Sequence, residues 1–199
     1  MSRNQLFDRA SDMEPLLPED RDGKLAGLGL EVLRRAERLR SALHPVTRRG
    51  VVDLVRSMNS YYSNLIEGHR TTPRDIDAAL RQEFSGNRKQ RQLQQLHWAH
   101  VETQRWMESE LARRGPSDIC SAEFLCQVHR EFYRRLPEEF HVLEDKSGRK
   151  HRVEPGALRR AVVSVGRHVA PAHEHLPEFL RRFAEFYAPR VQSTPQGLV

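Results

Sequence analysis

The feature that most constrains this chain is the spacing of its apolar residues, which recur every three or four positions between proline and glycine breaks. This spacing places apolar side chains on one face of an α-helix, whereas a half-buried strand alternates apolar and polar residues. One such run covers residues 28–43 and stops at His44-Pro45. A second covers residues 51–65 and ends at Gly68, where glycine suits the left-handed conformation that closes a helix. The sequence therefore predicts an all-α fold.

Further helices are indicated by their start and stop signals. Thr72 precedes Pro73, and Asp75 stands three residues after Thr72, a pattern typical of an N-cap, a first-turn proline and a capping-box acid. A short helix is expected to begin there. The remaining helices are predicted over about residues 89–113, 121–136 and 176–189, and Leu93, Leu96, Met107 and Leu111 are expected to face the core from the longest of them.

The segments outside these helices differ in composition. Residues 1 to about 24 lack periodicity, and the spacing of the glycines at 23, 27 and 29 argues against regular structure before Leu30, so we predict a flexible leader over residues 1–27. Residues 137–160 have the composition of a loop. Two short β-branched runs then flank Gly166-Arg167 and predict one short hairpin. The ordered part is expected to span residues 28–190 as one domain, followed by a tail over residues 191–199.

Charge and hydropathy restrict the function without identifying it. The formal net charge is +6 and comes mostly from arginine, which is compatible with an acidic partner or with nucleic acid. The polar N-terminus and the absence of a long apolar run predict a cytoplasmic protein with no membrane contact. Two histidine groups, His97 with His100 and His168 with His173 and His175, have no acid or cysteine at metal-ligand spacing, so no metal site is predicted.

Two motifs resemble one protein family. Helix two closes with Ser63-Asn64-Leu65-Ile66-Glu67-Gly68, inside the longer string YYSNLIEGHRTTPRDIDAAL. About ninety residues later comes EPGALRRAVVSVGRHVAPAHEHLPEFLRRF, in which Pro-Gly and an Arg precede the predicted hairpin. The first string is similar to the inhibitory motif of Fic-domain protein adenylyltransferases that carry their inhibitor N-terminally, and the second is similar to the flap of that family. The resemblance covers roughly residues 30–190 and includes an inhibitory helix over about 46–68 and a flap over about 157–172.

The resemblance implies roles for both motifs. In the family the motif glutamate, here Glu67, pairs with an arginine that otherwise holds the γ-phosphate of ATP, and Ser63 and Gly68 complete the inhibitory signature. The flap binds an extended stretch of a target protein and brings its Tyr, Ser or Thr hydroxyl to the catalytic centre. The matching flap positions are Val162, Val163, Ser164, Val165, Gly166 and His168. A complete member of the family uses ATP and Mg²⁺, and a homodimer is left open.

The catalytic signature of the family, His-X-Phe-X-acid-Gly-Asn-Gly-Arg, does not occur in the sequence. The nearest string begins at Phe84, has Arg81 in place of the histidine, lacks the second glycine and precedes the flap. No catalytic residue is therefore assigned. We expect a Fic-like helical domain that is C-terminally incomplete, transfers no AMP by itself and binds neither ATP nor Mg²⁺.

An alternative from another functional class is a basic helical binding module. The helix over about 88–113 is rich in arginine and could contact nucleic acid or an acidic protein. Many arginines in the chain alternate with glutamates, a pattern typical of a solvated helix face, so nucleic acid is the less favoured partner.

Overall fold

The computed structural model describes residues 9–13, 19–114, 119–145, 147–165 and 168–187. The strands in these ranges form two antiparallel two-strand hairpins. The predicted all-α fold with a short hairpin is confirmed. The helices are α1 (Lys24–Ala42), α2 (Pro45–Ile66), α3 (Pro73–Leu80), α4 (Arg88–Arg114), α5 (Ala122–Tyr133) and α6 (Leu176–Tyr187), and the strands are β1 (Val142–Glu144), β2 (Lys150–Arg152), β3 (Ser164–Val165) and β4 (His168–Val169).

The first helix begins earlier than its glycines suggest. The Asp20 carboxylate accepts hydrogen bonds from the backbone N–H groups of Ala26, at 2.8 Å, and Leu25, at 2.9 Å. These bonds satisfy donors that a helix N-terminus leaves open, and they lower the pKa of Asp20. The prediction of no regular structure before Leu30 is therefore wrong. Within the same predicted leader, Ala10–Met13 form a 3-10 helix that packs on α6.

The junction of α2 and α3 follows its sequence signals. Gly68 has φ +79°, so it ends α2 in the left-handed conformation as predicted. The Thr72 hydroxyl accepts a hydrogen bond from the Asp75 N–H, and the Asp75 carboxylate accepts one from the Thr72 N–H. This reciprocal arrangement confirms the capping box and fixes the start of α3.

The centre of the molecule is α4, which packs against α2, α3 and α5. Its buried residues include Ala99 and Val101, and Trp106 stacks on Phe124 of α5 with ring centroids 6.1 Å apart. The expected core residues Leu93, Leu96, Met107 and Leu111 are only half-buried. The polar side chains buried on this helix are those of Gln94, His97 and Thr103.

The hairpin formed by β1 and β2 lies in the segment predicted to be a loop. Val142 pairs with Arg152 and Glu144 with Lys150. The connection is closed by Asp145, whose carboxylate accepts hydrogen bonds from the Ser147 hydroxyl and backbone N–H and lies 2.9 Å from Nε2 of His151. These contacts hold the pKa of Asp145 well below its usual range. An aspartate whose side chain bonds the backbone of its own turn is a local signal for a turn. The charged composition of this segment makes that signal hard to recognise in the sequence.

In the part of the chain that the structure covers, no helix combines the length and the apolar content needed to cross a membrane.

Candidate functional site

The predicted inhibitory residues lie at the exposed C-terminal end of α2. Ser63 is in the last turn, and Glu67 is the C-cap residue that follows Ile66. Both side chains are exposed, and neither makes a hydrogen bond or ion pair with any described residue. An acid at a helix C-terminus receives no help from the helix dipole, so nothing local stabilises the Glu67 carboxylate. It is available to a cation from outside the described residues.

A buried histidine of α4 contacts residues close to this end of α2. His97 of α4 is fully buried and lies between two hydroxyl groups. Oγ of Ser60 is 2.8 Å from Nδ1, and Oγ1 of Thr71 is 2.8 Å from Nε2. In the chain, Ser60 precedes Ser63 and Glu67, and Thr71 follows them. One side chain of α4 therefore contacts residues on both sides of the predicted inhibitory motif.

The imidazole of His97 is neutral at ordinary pH. Burial, with smaller effects from neighbouring His100 and His69, lowers the pKa of His97 to about 4. A neutral ring has one N–H donor and one acceptor nitrogen, so one of the two hydroxyls donates to the ring and the other accepts from it. Both ring nitrogens are satisfied by this arrangement, which accounts for a histidine in the core.

Amide side chains extend the same network. Nδ2 of Asn64 donates to the Ser60 carbonyl oxygen at 2.9 Å, and Oδ1 of Asn64 lies 3.3 Å from Nδ1 of His69. On the other side, the buried Gln94 accepts a hydrogen bond from the backbone N–H of Ser85 at 2.7 Å. The residues that follow Glu67 are thereby joined to α2, and α4 is joined to the loop that precedes it.

An ion pair joins α2 to α4 one turn before Ser60. Nε of Arg56 lies 3.0 Å from Oε1 of Glu108, and the Arg56 guanidinium also bonds Asp53 at 2.6 Å. The hydrogen bond from Arg56 lowers the pKa of Glu108. The Arg56 side chain is 15% exposed, so this pair is better shielded than the other ion pairs of the first two helices.

The predicted flap is a two-strand hairpin in which Ser164 pairs with Val169. The Arg159 guanidinium closes its base by donating to the carbonyl oxygens of Ala161, at 2.8 Å, and Pro171. Val162 and Val163 are 69% and 41% exposed, and Ser164 is also exposed. Gly166 lies outside the described residues, and only the backbone of Val165 and His168 is described.

The Pro155-Gly156 turn before the flap is fixed to α5. The backbone N–H of Gly156 donates to Nδ1 of His129 at 2.8 Å. Gly156 has φ +85°, and a Cβ atom there would lie 2.8 Å from Nε of Arg130. Both its backbone conformation and the adjacent arginine therefore require glycine at this position.

Among the described residues, the C-terminal end of α2 and the β3–β4 hairpin are not packed closely against each other. The closely packed pairs of elements do not include α2 with β3 or β4. The joint site that the resemblance implies, with Glu67 and the flap on either side of one cleft, stays a prediction.

Sequence reasoning missed two contributors to these motifs. In the sequence, His97 is noticeable only because it forms a pair with His100, which suggests a metal site. Among the described residues, no group of three or more metal-ligating side chains occurs. The role of His97 becomes visible only when α2 and α4 are packed together. Arg159 is one of several arginines in a basic stretch, and its two carbonyl partners depend on the hairpin geometry.

Three arginines of α4, the basic helix of the alternative function, are paired with carboxylates. Arg88 lies 3.1 Å from Glu139, Arg105 is 2.5 Å from Glu102, and Arg113 is 2.8 Å from Glu110. Guanidinium groups already paired with carboxylates are less available to phosphates.

Comparisons of this chain with protein-family models, with curated proteins and with solved structures found no match.

Proposed function

We propose that this chain is the regulatory and target-docking part of a Fic-type protein adenylyltransferase, an enzyme that transfers AMP from ATP to protein hydroxyl groups in the cytoplasm. The placement of Glu67 supports the proposal most strongly. Its carboxylate is exposed and without a partner among the described residues, yet the segment that presents it is bonded on both flanks to His97. An inhibitory acid must keep its carboxylate open to an incoming guanidinium, and the exposed Glu67 carboxylate meets this requirement.

The proposed inhibition is competition for one guanidinium. A carboxylate and a phosphate both bind arginine through two parallel hydrogen bonds, so Glu67 and the γ-phosphate of ATP exclude each other at the same arginine. That arginine, the general base and the groups that bind ATP and Mg²⁺ belong to the catalytic signature, which these 199 residues lack. The proposed activity therefore requires a catalytic polypeptide that supplies them.

The β3–β4 hairpin is the proposed docking element for the target protein. A short hairpin with exposed Val162, Val163 and Ser164 can add an extended peptide through main-chain hydrogen bonds, which tolerates many target sequences. Arg159 holds the two ends of the hairpin together and so presents its edge in one geometry.

The coding sequence around this chain provides the first test. We expect the His-to-Arg signature to be encoded either in frame after codon 199 or in an adjacent gene. If neither place encodes it, the proposed function is wrong.

An activity assay provides the second test. The catalytic polypeptide is combined with this chain, and AMP transfer from labelled ATP is measured for the wild type, for Glu67→Gln and for Asp77→Asn. Because Asp77 is also an exposed acid that loses one charge in its variant, it is a matched control. We expect Glu67→Gln to increase labelling about tenfold or more, as the loss of a charge-assisted pair implies, and Asp77→Asn to leave it unchanged. Equal labelling by the wild type and Glu67→Gln would contradict the proposed role.

A further inference from the structure

The two faces of α2 have opposite chemistry, and the apolar face is the open one. The face that meets α4 carries Arg56 and Ser60. The opposite face carries five large apolar side chains that are between 38% and 55% exposed. These residues, which we name the α2 stripe, are Val51, Val55, Met58, Tyr62 and Leu65.

The first helix has an open apolar face as well. Leu28, Val32 and Leu39, which we name the α1 stripe, are between 56% and 66% exposed. No residue of α1 is buried, and none of the closely packed pairs of elements in the described chain includes α1. This helix has 19 residues and contains Gly27 and Gly29. An isolated helix of that length is marginal in water, and each glycine weakens it further, so α1 needs a surface to pack on.

The two stripes of one chain do not cover each other. Leu43 and His44 connect α1 to α2 in extended conformations, and Pro45 begins α2 directly after them. In this geometry the side chains of both stripes remain in solvent. In each chain, α1 therefore has no surface to pack on, and the α2 stripe has no helix packed against it.

We infer that a second copy of this chain covers both stripes, with α1 of each protomer packed on the α2 stripe of the other. In a closed two-fold dimer, α1 of each protomer covers the α2 stripe of the other, so neither stripe of either protomer stays exposed. The lengths match, because α1 has 19 residues and α2 has 22. The apolar surface that becomes available is on the order of 700 Å² per protomer, close to the roughly 800 Å² typical of a stable interface.

The α1 and α2 stripes themselves carry no charged side chain. On α1, Arg35 is paired with Glu31 and Arg40 with Glu37 within the same helix. These two arginines therefore do not need an acidic partner to neutralise them.

The mass of the purified chain in solution tests the inference. Size-exclusion chromatography with light scattering, over a wide range of protein concentration, should give the mass of a dimer. Val32→Glu, at the middle of the α1 stripe, and Val55→Glu, at the middle of the α2 stripe, should each give a monomer. Leu30→Glu is the matched control, because Leu30 is an exposed leucine of α1 outside the stripe, and this variant should stay dimeric. The far-UV circular dichroism spectrum of each variant should remain that of a helical protein, since the substituted side chains are exposed within one chain.

A charge-complementation experiment tests which helices meet. Val32→Glu is mixed with Val55→Lys, each a monomer alone. In the exchanged arrangement the introduced acid of one chain meets the introduced base of the other, while the second α1–α2 contact is unchanged, so the mixture should form a dimer. A wild-type monomer at every concentration, a dimer insensitive to either stripe variant, or a mixture that stays monomeric would overturn the inference. So would a monomer whose stripes become covered only by the catalytic polypeptide. None of these outcomes alters the test of Glu67.

Discussion

Oγ of Ser60 lies 2.8 Å from Nδ1 of His97, and both side chains are fully buried. This contact joins α2 to α4 three residues before Ser63. The second ring nitrogen of His97 reaches Thr71 beyond the helix end. The position of Glu67 thus depends on a polar contact inside the protein, although Glu67 itself is exposed.

Substitution of Ser60 should lower stability through this contact. In Ser60→Ala, a buried ring nitrogen loses its partner, and we expect the free energy of unfolding to fall by about 1–3 kcal/mol. Urea denaturation followed by circular dichroism measures the change. Ser63→Ala is the control, because Ser63 is on the same helix but exposed. Its effect should be within about 0.5 kcal/mol. Equal effects of the two variants would mean that the contact with His97 contributes nothing.

Stability should also depend on pH through His97. Its pKa is about 4 in the folded protein and about 6.5 for an ordinary histidine. Below pH 6.5 the unfolded chain binds a proton that the folded protein does not, so the free energy of unfolding decreases as the pH falls towards 4 and no further below it. From pH 6.5 to 5 the loss attributable to His97 should be roughly 2 kcal/mol. Urea denaturation at several pH values measures it.

The control for this pH dependence is His97→Gln, whose side chain keeps a donor and an acceptor but does not titrate. Burial also lowers the pKa values of His100 and His129, so they contribute in the same direction in both proteins. The difference between the wild type and His97→Gln isolates His97. A difference that is constant from pH 7 to 4 would show that the folded protein protonates this ring normally.

The Arg56–Glu108 pair should contribute more than the exposed pairs of α1. Glu108→Gln removes the charge but keeps the shape, and we expect a loss of about 1 kcal/mol because the Arg56 guanidinium is mostly shielded. Glu37→Gln, which breaks an exposed pair with Arg40, should lower stability less than Glu108→Gln does, because solvent screens that pair. Thermal unfolding at low and high salt compares the two. A larger salt-sensitive loss for Glu37→Gln would reverse the expected order.

The sequence predicts helix ends well because their signals are local. Thr72 with Asp75 and the left-handed Gly68 act within a few residues, and each is found where the sequence indicates it. The start of α1 was mispredicted because its capping acid, Asp20, stands several residues before the N–H groups it binds. Helix propensity alone gives too much weight to Gly23, Gly27 and Gly29.

The packing of α2 could not be predicted from its periodicity. An apolar stripe normally faces the core, yet the residues of α2 that meet α4 are polar, and the stripe is exposed. A polar face is stable inside only when its partners are supplied by another element, here His97 and Glu108. Those partners lie 37 and 52 residues away in the chain, so no local pattern reveals them.

Gly156 should be essential for the geometry before the flap. In Gly156→Ala the new methyl group would lie 2.8 Å from Nε and 3.1 Å from Cβ of Arg130, at a backbone φ of +85°. We expect a loss of about 2–3 kcal/mol, of which the left-handed conformation accounts for roughly 1–2 kcal/mol and the displacement of Arg130 for the rest. Gly148→Ala is a matched control, because Gly148 has φ +81° but a Cβ atom there would lie 3.9 Å from Oε1 of Glu144, an ordinary van der Waals distance. Thermal unfolding of both variants separates conformational strain from crowding. Equal losses would show that Arg130 moves aside without cost, and the turn would then be fixed by its backbone and by the hydrogen bond to His129 alone.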